Sequence, residues 1–169
     1  MHVVVLGAGY AGVTLTQKLE SALPDSVQLT LVDERETHLV QHEVHRAIRR
    51  PSITEAIEIP LESLFDRADV VIERVDSVET DSNQVVLESG ETVDYDYAGL
   101  CLGAETAFYE LPGVEAHGLP LKSISDAETI RGQALDAIDT DEPATFVVGG
   151  AGLSGVQVAG ELATLVDEE

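Results

Sequence analysis

Two glycine runs hold the residues best placed to do chemistry: Gly7-Ala8-Gly9-Tyr10-Ala11-Gly12 and Gly150-Ala151-Gly152-Leu153-Ser154-Gly155, both spaced as GxGxxG. Each follows a short Val-rich run and opens a segment with helical apolar period, the order strand, tight turn, helix. In that setting the first glycine permits a sharp exit from the strand. The second removes a side chain so that backbone N–H groups can approach a diphosphate, and the third lets helix and strand pack closely. The helix N-terminus adds favourable electrostatics for the anion. Asp33 lies 21 residues beyond Gly12, close to the ~20 at which a carboxylate accepts hydrogen bonds from an adenosine ribose. Asp33 and the adjacent Glu34 would repel a 2′-phosphate, and Arg35 reads as solvated or ion-paired. The second run should have its own acid roughly 20 residues past Gly155, beyond Glu169. The expectation is therefore one complete dinucleotide site and one that is only opened, in the N-terminal part of a longer protein.

The elements that must hold these loops read as βα and hairpin units. His2–Leu6 is a strand, and Val13, Leu15, Leu19 and Leu23 share the apolar pattern of a helix closed by Pro24. Residues 27–32 alternate as a second strand ending at Asp33. Residues 38–60 are mixed, a short helix and then an irregular stretch. Residues 69–79, 83–88 and 92–102 are Val-rich runs separated by Thr80-Asp81-Ser82 and Ser89-Gly90, the pattern of an antiparallel meander. Gly103 ends the third run, and Pro112-Gly113 punctuates a connector. Residues 125–138 read as a helix with Asp126 near its start, 144–149 as a strand, and the stretch after Gly155 as a helix to about Val166. The expected organisation is a first domain over residues 1–110, a connector and crossover helix over 111–143, and the start of a second domain over 144–169.

Composition narrows the function classes. The chain has 169 residues, 32 Asp+Glu against 9 Lys+Arg, and a net charge of −23. Such an excess repels phosphate backbones and disfavours nucleic acid as a partner. The acids are scattered and only Lys18 and Lys122 represent lysine, which reads as adaptation to concentrated salt. There the Debye length falls to ~3 Å at 1 M and self-repulsion is screened. No apolar run approaches the ~20 residues of a membrane helix, and Met1-His2 followed at once by valines lacks the basic flank of a signal peptide. A cytoplasmic location is the expectation. The single cysteine, Cys101, leaves no CxxC pair in this stretch and reads as a buried small hydrophobe.

Two such fingerprints, separated by a meander and by a strand ending in Gly-Ala, resemble the flavoprotein oxidoreductases with two dinucleotide-binding domains, one for FAD and one for NAD(P)H. The stretch from Asp94-Tyr95-Asp96-Tyr97 to Gly103-Ala104 is similar to the second FAD motif of that superfamily, and Leu121-Lys122-Ser123-Ile124-Ser125-Asp126-Ala127 to its crossover into the NAD domain. The subgroup it most resembles is type II NADH dehydrogenase, the single-chain NADH:quinone oxidoreductases, through His38-Leu39-Val40-Gln41 and residues 155–162. The chain departs from that pattern at Gln157, where a carboxylate is usual. It departs again at His42-Glu43-Val44-His45, where a proline and larger apolar residues are usual.

The resemblance implies an α/β class: a Rossmann-like FAD-binding fold with a three-stranded antiparallel meander, then the first β-α unit of a Rossmann-like NAD-binding domain. It implies that Gly7, Gly9, Tyr10, Ala11 and Gly12 cradle the FAD diphosphate, that Asp33 and Glu34 lie at the ribose, and that Val75 sits against the adenine. Gly103 and Ala104 would close over the flavin, and Gly150, Gly152, Leu153, Ser154 and Gly155 would receive the diphosphate of NADH. Hydride would pass from NADH to FAD and on to a quinone or similar acceptor, with no catalytic acid or base assigned. Membrane association would come only through regions outside this stretch, and two chains could pair as a homodimer. Two other readings stand beside it: a non-enzymatic module that senses NAD(H), and a flavoprotein like sulfide:quinone oxidoreductase.

Other residues have plainer readings. His38, His42 and His45 could meet at helical spacing, though no cysteine lies near to complete a metal site, and His42 or His45 better suits the flavin pocket. Tyr95 and Tyr97 alternate on a strand and can simply pack, while Glu161 is as well suited to the surface as to a ligand.

Overall fold

The computed structural model describes residues 1–140 and 143–168, which form two compact units: Met1–Leu39 with Ile59–Ala104, and Val40–Glu58 with the described residues from Glu105 onward.

In the first unit, β1 (His2–Leu6) leads through the first glycine loop into α1 (Tyr10–Ala22), and β2 (Gln28–Asp33) follows. The chain leaves this unit after β3 (Thr37–Leu39) and re-enters it within β4 (Glu58–Pro60). Then come β5 (Asp69–Ile72), β6 (Val75–Glu79), β7 (Gln84–Leu87), β8 (Thr92–Asp94) and β9 (Tyr97–Leu100). The main sheet has the order β5-β2-β1-β9, with β1 parallel to β2 and β9, and β2 parallel to β5. Strands buried on both faces lose the polar-apolar alternation of half-exposed ones, which explains the unbroken valines of β1. Val3, Val5, Leu29 and Leu31 pack with Val13 of α1 on one face. Val4, Leu6 and Val32 meet Val85 and Leu87 of the meander on the other.

The meander is present as the antiparallel sheet β6-β7-β8, but it is shorter than the Val-rich runs that predict it. The run over 69–79 breaks at Glu73-Arg74, so that β5 extends the parallel sheet and β6 begins the meander. The run over 92–102 breaks at Tyr95-Asp96, and β9 returns beside β1. Neither break carries a glycine or proline. The changeover is made by tertiary hydrogen bonds: Glu73 N–H donates to Asp33 O (2.8 Å), and Asp96 N–H donates to His2 O (2.9 Å).

In the second unit, a 3₁₀ segment over Gln41–Ile48 is followed by α2 (Thr54–Ile57), α3 (Val114–His117), α4 (Ile124–Ile138) and α5 (Leu153–Glu168). The α4 N-terminus is a capping box, in which Ser123 Oγ accepts from Asp126 N–H and the Asp126 carboxylate accepts from Ser123 N–H. Val44, Ala47 and Ile48 of the 3₁₀ segment are buried, and the segment packs against α4 and α5. Arg131 of α4 donates to the carbonyls of Ile48 and Arg49, each at 3.0 Å. The strand expected over 144–149 does not form. Among the described residues no segment pairs with it, and Val147 is 90% exposed. A strand is made by the ladder beside it, and a Val-rich run with no neighbouring strand leaves its backbone groups to water.

Candidate functional site

Because β5, β2, β1 and β9 run parallel, their C-terminal ends share one edge of the sheet. The order reverses at β1, with β2 on one side and β9 on the other, and such switch points are where open α/β sheets bind ligands. The segments following these strands carry Gly7 to Gly12, Glu34, Val75 and Gly103-Ala104, while Asp33 is the last residue of β2. The fold thus gathers the sequence-predicted residues of the first loop along one edge.

The three loop glycines answer to different demands. Gly7 has φ +96°, and a methyl built on it would run into the Cys101 carbonyl. A methyl on Gly12 would run into the Gly7 carbonyl oxygen. Both are required by the protein's own packing. Gly9 is different: its φ is −68°, open to any residue, and a methyl there meets nothing within 4 Å. The position is bare on a side where the described residues supply no atoms. Gly9 is also the N-cap of α1, with no side chain capping the helix and no acid in its first turn. Helix N-terminal N–H groups without a side-chain cap suit an anion.

Asp33 and His38 pin the loop from behind. Asp33 is 9% exposed; its Oδ2 accepts from Ala8 N–H at 2.6 Å and its Oδ1 from Arg35 N–H at 2.9 Å. The Arg35 guanidinium lies 3.6 Å from Oδ1, so this arginine is ion-paired. His38 Nδ1 lies 2.8 Å from the Ala8 carbonyl oxygen. A carbonyl only accepts, so Nδ1 carries the proton. The Tyr10 ring meets the His38 imidazole edge to face, with centroids 5.0 Å apart. Val75 pairs with Leu87 at a bulge and packs on the Val4–Leu6–Val32 cluster, two residues beyond the Glu73 that bonds Asp33. Glu34, Ala11, Gly103 (φ +78°) and Ala104 are exposed. Cys101 is half-buried under the loop rather than fully buried. Tyr95 packs against the core, whereas Tyr97 is exposed.

The second loop repeats the shape of the first. Gly150 has φ +119°, a methyl on Gly155 would run into the Gly150 carbonyl oxygen, and a methyl on Gly152 meets nothing within 4 Å. Val156 N–H donates to Gly152 O at 3.1 Å, as Val13 N–H does to Gly9 O at 3.0 Å. Leu153 and Ser154 are exposed, and the first turn of α5 holds no acid.

Among the described residues no group of three or more His, Cys, Asp or Glu side chains is placed to hold a metal ion. His38 belongs to the first unit and is committed to Ala8, while His42 and His45 belong to the second. Glu161 is neither a loose surface acid nor free for a ligand. It accepts from Arg49 Nε at 2.7 Å with both side chains 15% exposed, and Arg49 also reaches Glu168 at 3.0 Å. The Glu161 hydrogen bond raises the affinity of Arg49 for its proton. The hydrogen bond from Arg46 likewise holds the Glu43 carboxyl below its ordinary value. The residue that sequence reasoning missed is His38 as a brace for the loop. Its spacing from Ala8 carries no motif, and only the tertiary crossing brings them together.

A parallel sheet with a bare-centred glycine loop at its switch point, an acid ending the next strand and a meander on one face defines a Rossmann-like dinucleotide-binding fold. The chain belongs to the pyridine nucleotide-disulphide oxidoreductase family, whose match covers residues 1–168. It is 27% identical to the type II NADH:quinone oxidoreductase of Staphylococcus aureus over 98% of this chain and 44% of that protein. It therefore spans less than half the length of the curated relatives it matches. The structure of NDH2 from Plasmodium falciparum in complex with NADH superimposes with a TM-score of 0.80 at 18% identity, over 99% of this chain and 38% of that one. The sulfide:quinone oxidoreductase of Aquifex aeolicus does so with a TM-score of 0.74 at 22% identity, over 83% and 33%. These likenesses establish the fold.

Proposed function

We propose that this chain is the N-terminal part of an FAD-dependent NADH dehydrogenase that reduces a quinone. The observation that carries the reading is the pair of loops, each with a first glycine at positive φ, a third that no side chain could replace, and a bare second. In the first loop, Gly7, Gly9, Tyr10, Ala11 and Gly12 present backbone and helix terminus to the diphosphate of FAD. Asp33 retains lone pairs for the adenosine ribose beside Glu34, and Val75 lies at the adenine. Gly103 and Ala104 follow β9 toward the flavin. In the second loop, Gly150, Gly152, Leu153, Ser154 and Gly155 present the same surface to NADH. Bound FAD supplies the hydride and electron chemistry; the residues here bind and orient, and none is assigned as acid or base. Homodimer pairing and a peripheral membrane contact belong to the same proposal, as does adaptation of the −23 surface to high salt.

The test is the longer reading frame. The expected product is yellow as purified, absorbing near ~450 nm as flavoproteins do, and oxidises NADH with a soluble quinone. A colourless protein that binds NADH overturns the proposal in favour of a sensor.

A further inference from the structure

We propose that His38 is a positioning residue for the diphosphate loop: it holds the Ala8–Gly9 peptide so that the Gly9 N–H is presented to the anion. This rests on the nucleotide reading of the first loop and adds to it a residue outside the fingerprint. Ala8 is 2% exposed, so its carbonyl has no water to turn to. The His38 ring, 6% exposed, supplies the donor at 2.8 Å. No peptide bond among the described residues is cis, and in a trans peptide C=O and N–H point in opposite directions. Fixing the Ala8 carbonyl on His38 therefore fixes the Gly9 N–H away from it. No described residue accepts that N–H, and the space beside Gly9 is open to 4 Å.

The neighbouring peptide is fixed in the same way. Asp33 takes the Ala8 N–H at 2.6 Å, so both peptides flanking the Ala8 Cα are held by side chains from β2 and β3. Tyr10, edge to face on the imidazole at 5.0 Å, restricts the ring plane. The loop thus reaches its anion-receiving shape before any ligand arrives, which reduces the ordering cost of binding. The His38 Nε2 is not needed for this; the requirement is one donor at the Nδ1 position. Asparagine places its amide nitrogen at the same distance from the backbone, whereas alanine places nothing there.

The experiment uses the ¹⁵N-labelled product of the longer reading frame, freed of flavin, and its His38→Ala and His38→Asn variants, titrated with ADP and followed by backbone amide shifts. In the wild type the Gly9 amide moves on adding ADP. In His38→Ala the Gly9 resonance is displaced before ligand is added and the Kd for ADP rises about tenfold, the worth of one oriented donor. His38→Asn returns both to near wild type. Equal ADP affinity in wild type and His38→Ala overturns the role of His38 alone. Equal impairment of both variants also overturns it, leaving His38 a packing residue. A wild-type Gly9 amide that ignores ADP overturns the nucleotide reading, and the role of His38 with it.

Discussion

A methyl at position 9 meets no atom within 4 Å, whereas the same group at position 12 runs into the Gly7 carbonyl and at position 7 into the Cys101 carbonyl. Alanine substitution at these three sites therefore separates folding from binding. At Gly9 two small effects oppose each other. Removing glycine from the unfolded chain at a compatible φ stabilises by about 0.4–1 kcal/mol, and replacing glycine at an N-cap by alanine costs roughly 0.5 kcal/mol. Gly9→Ala is thus expected within about 0.5 kcal/mol of wild type, while its methyl stands where the diphosphate would approach. At Gly12 the collision is with backbone, and overpacking of that kind costs about 1–3 kcal/mol. Gly7→Ala adds the strain of an L side chain at φ +96°, another ~1–2 kcal/mol. Urea unfolding followed by far-UV circular dichroism reads the stabilities, and ADP titration reads binding. The expected result is Gly9→Ala with an unchanged midpoint and at least tenfold weaker ADP affinity, beside Gly7→Ala and Gly12→Ala with clearly lowered midpoints. Gly9→Ala as unstable as Gly12→Ala, or binding as well as wild type, refutes the reasoning.

Further outcomes follow from other contacts. Asp33→Ala removes the acceptor of the buried Ala8 N–H and should cost about 1–3 kcal/mol, read from urea unfolding. Ser123→Ala breaks the capping box of α4 and should cost roughly 1 kcal/mol, visible as a lower thermal midpoint. Arg46 holds the Glu43 carboxyl below its ordinary value, so the stabilisation is present at neutral pH and is lost as pH falls through the lowered pKa; Arg46→Gln should return Glu43 toward ordinary carboxylate behaviour in an NMR titration. The −23 charge should make the unfolding midpoint rise steadily with KCl up to molar concentrations, and a midpoint indifferent to salt would refute the salt-adaptation reading.

The loops, the first two strands, α1 and Asp33 were legible in the sequence because local spacing alone dictates them. A GxGxxG turn, an apolar period and an acid ending a strand need no knowledge of distant residues. What the sequence leaves undecided is which strand joins which sheet. Residues 69–79 and 92–102 carry uniform Val-rich patterns, yet each splits between two sheets at hydrogen bonds to Asp33 and His2. Valines at 144–149 have strand propensity and still form no strand among the described residues, since a ladder requires a neighbour. His38 shows the same limit: its spacing suggested company with His42 and His45, and the fold turns it onto the Ala8 carbonyl instead. Local conformation follows from short-range sterics and periodicity, which the chain carries within a few residues. Strand order and the bracing of the loop depend on contacts between residues far apart in sequence, and these exist only once the sheet has assembled.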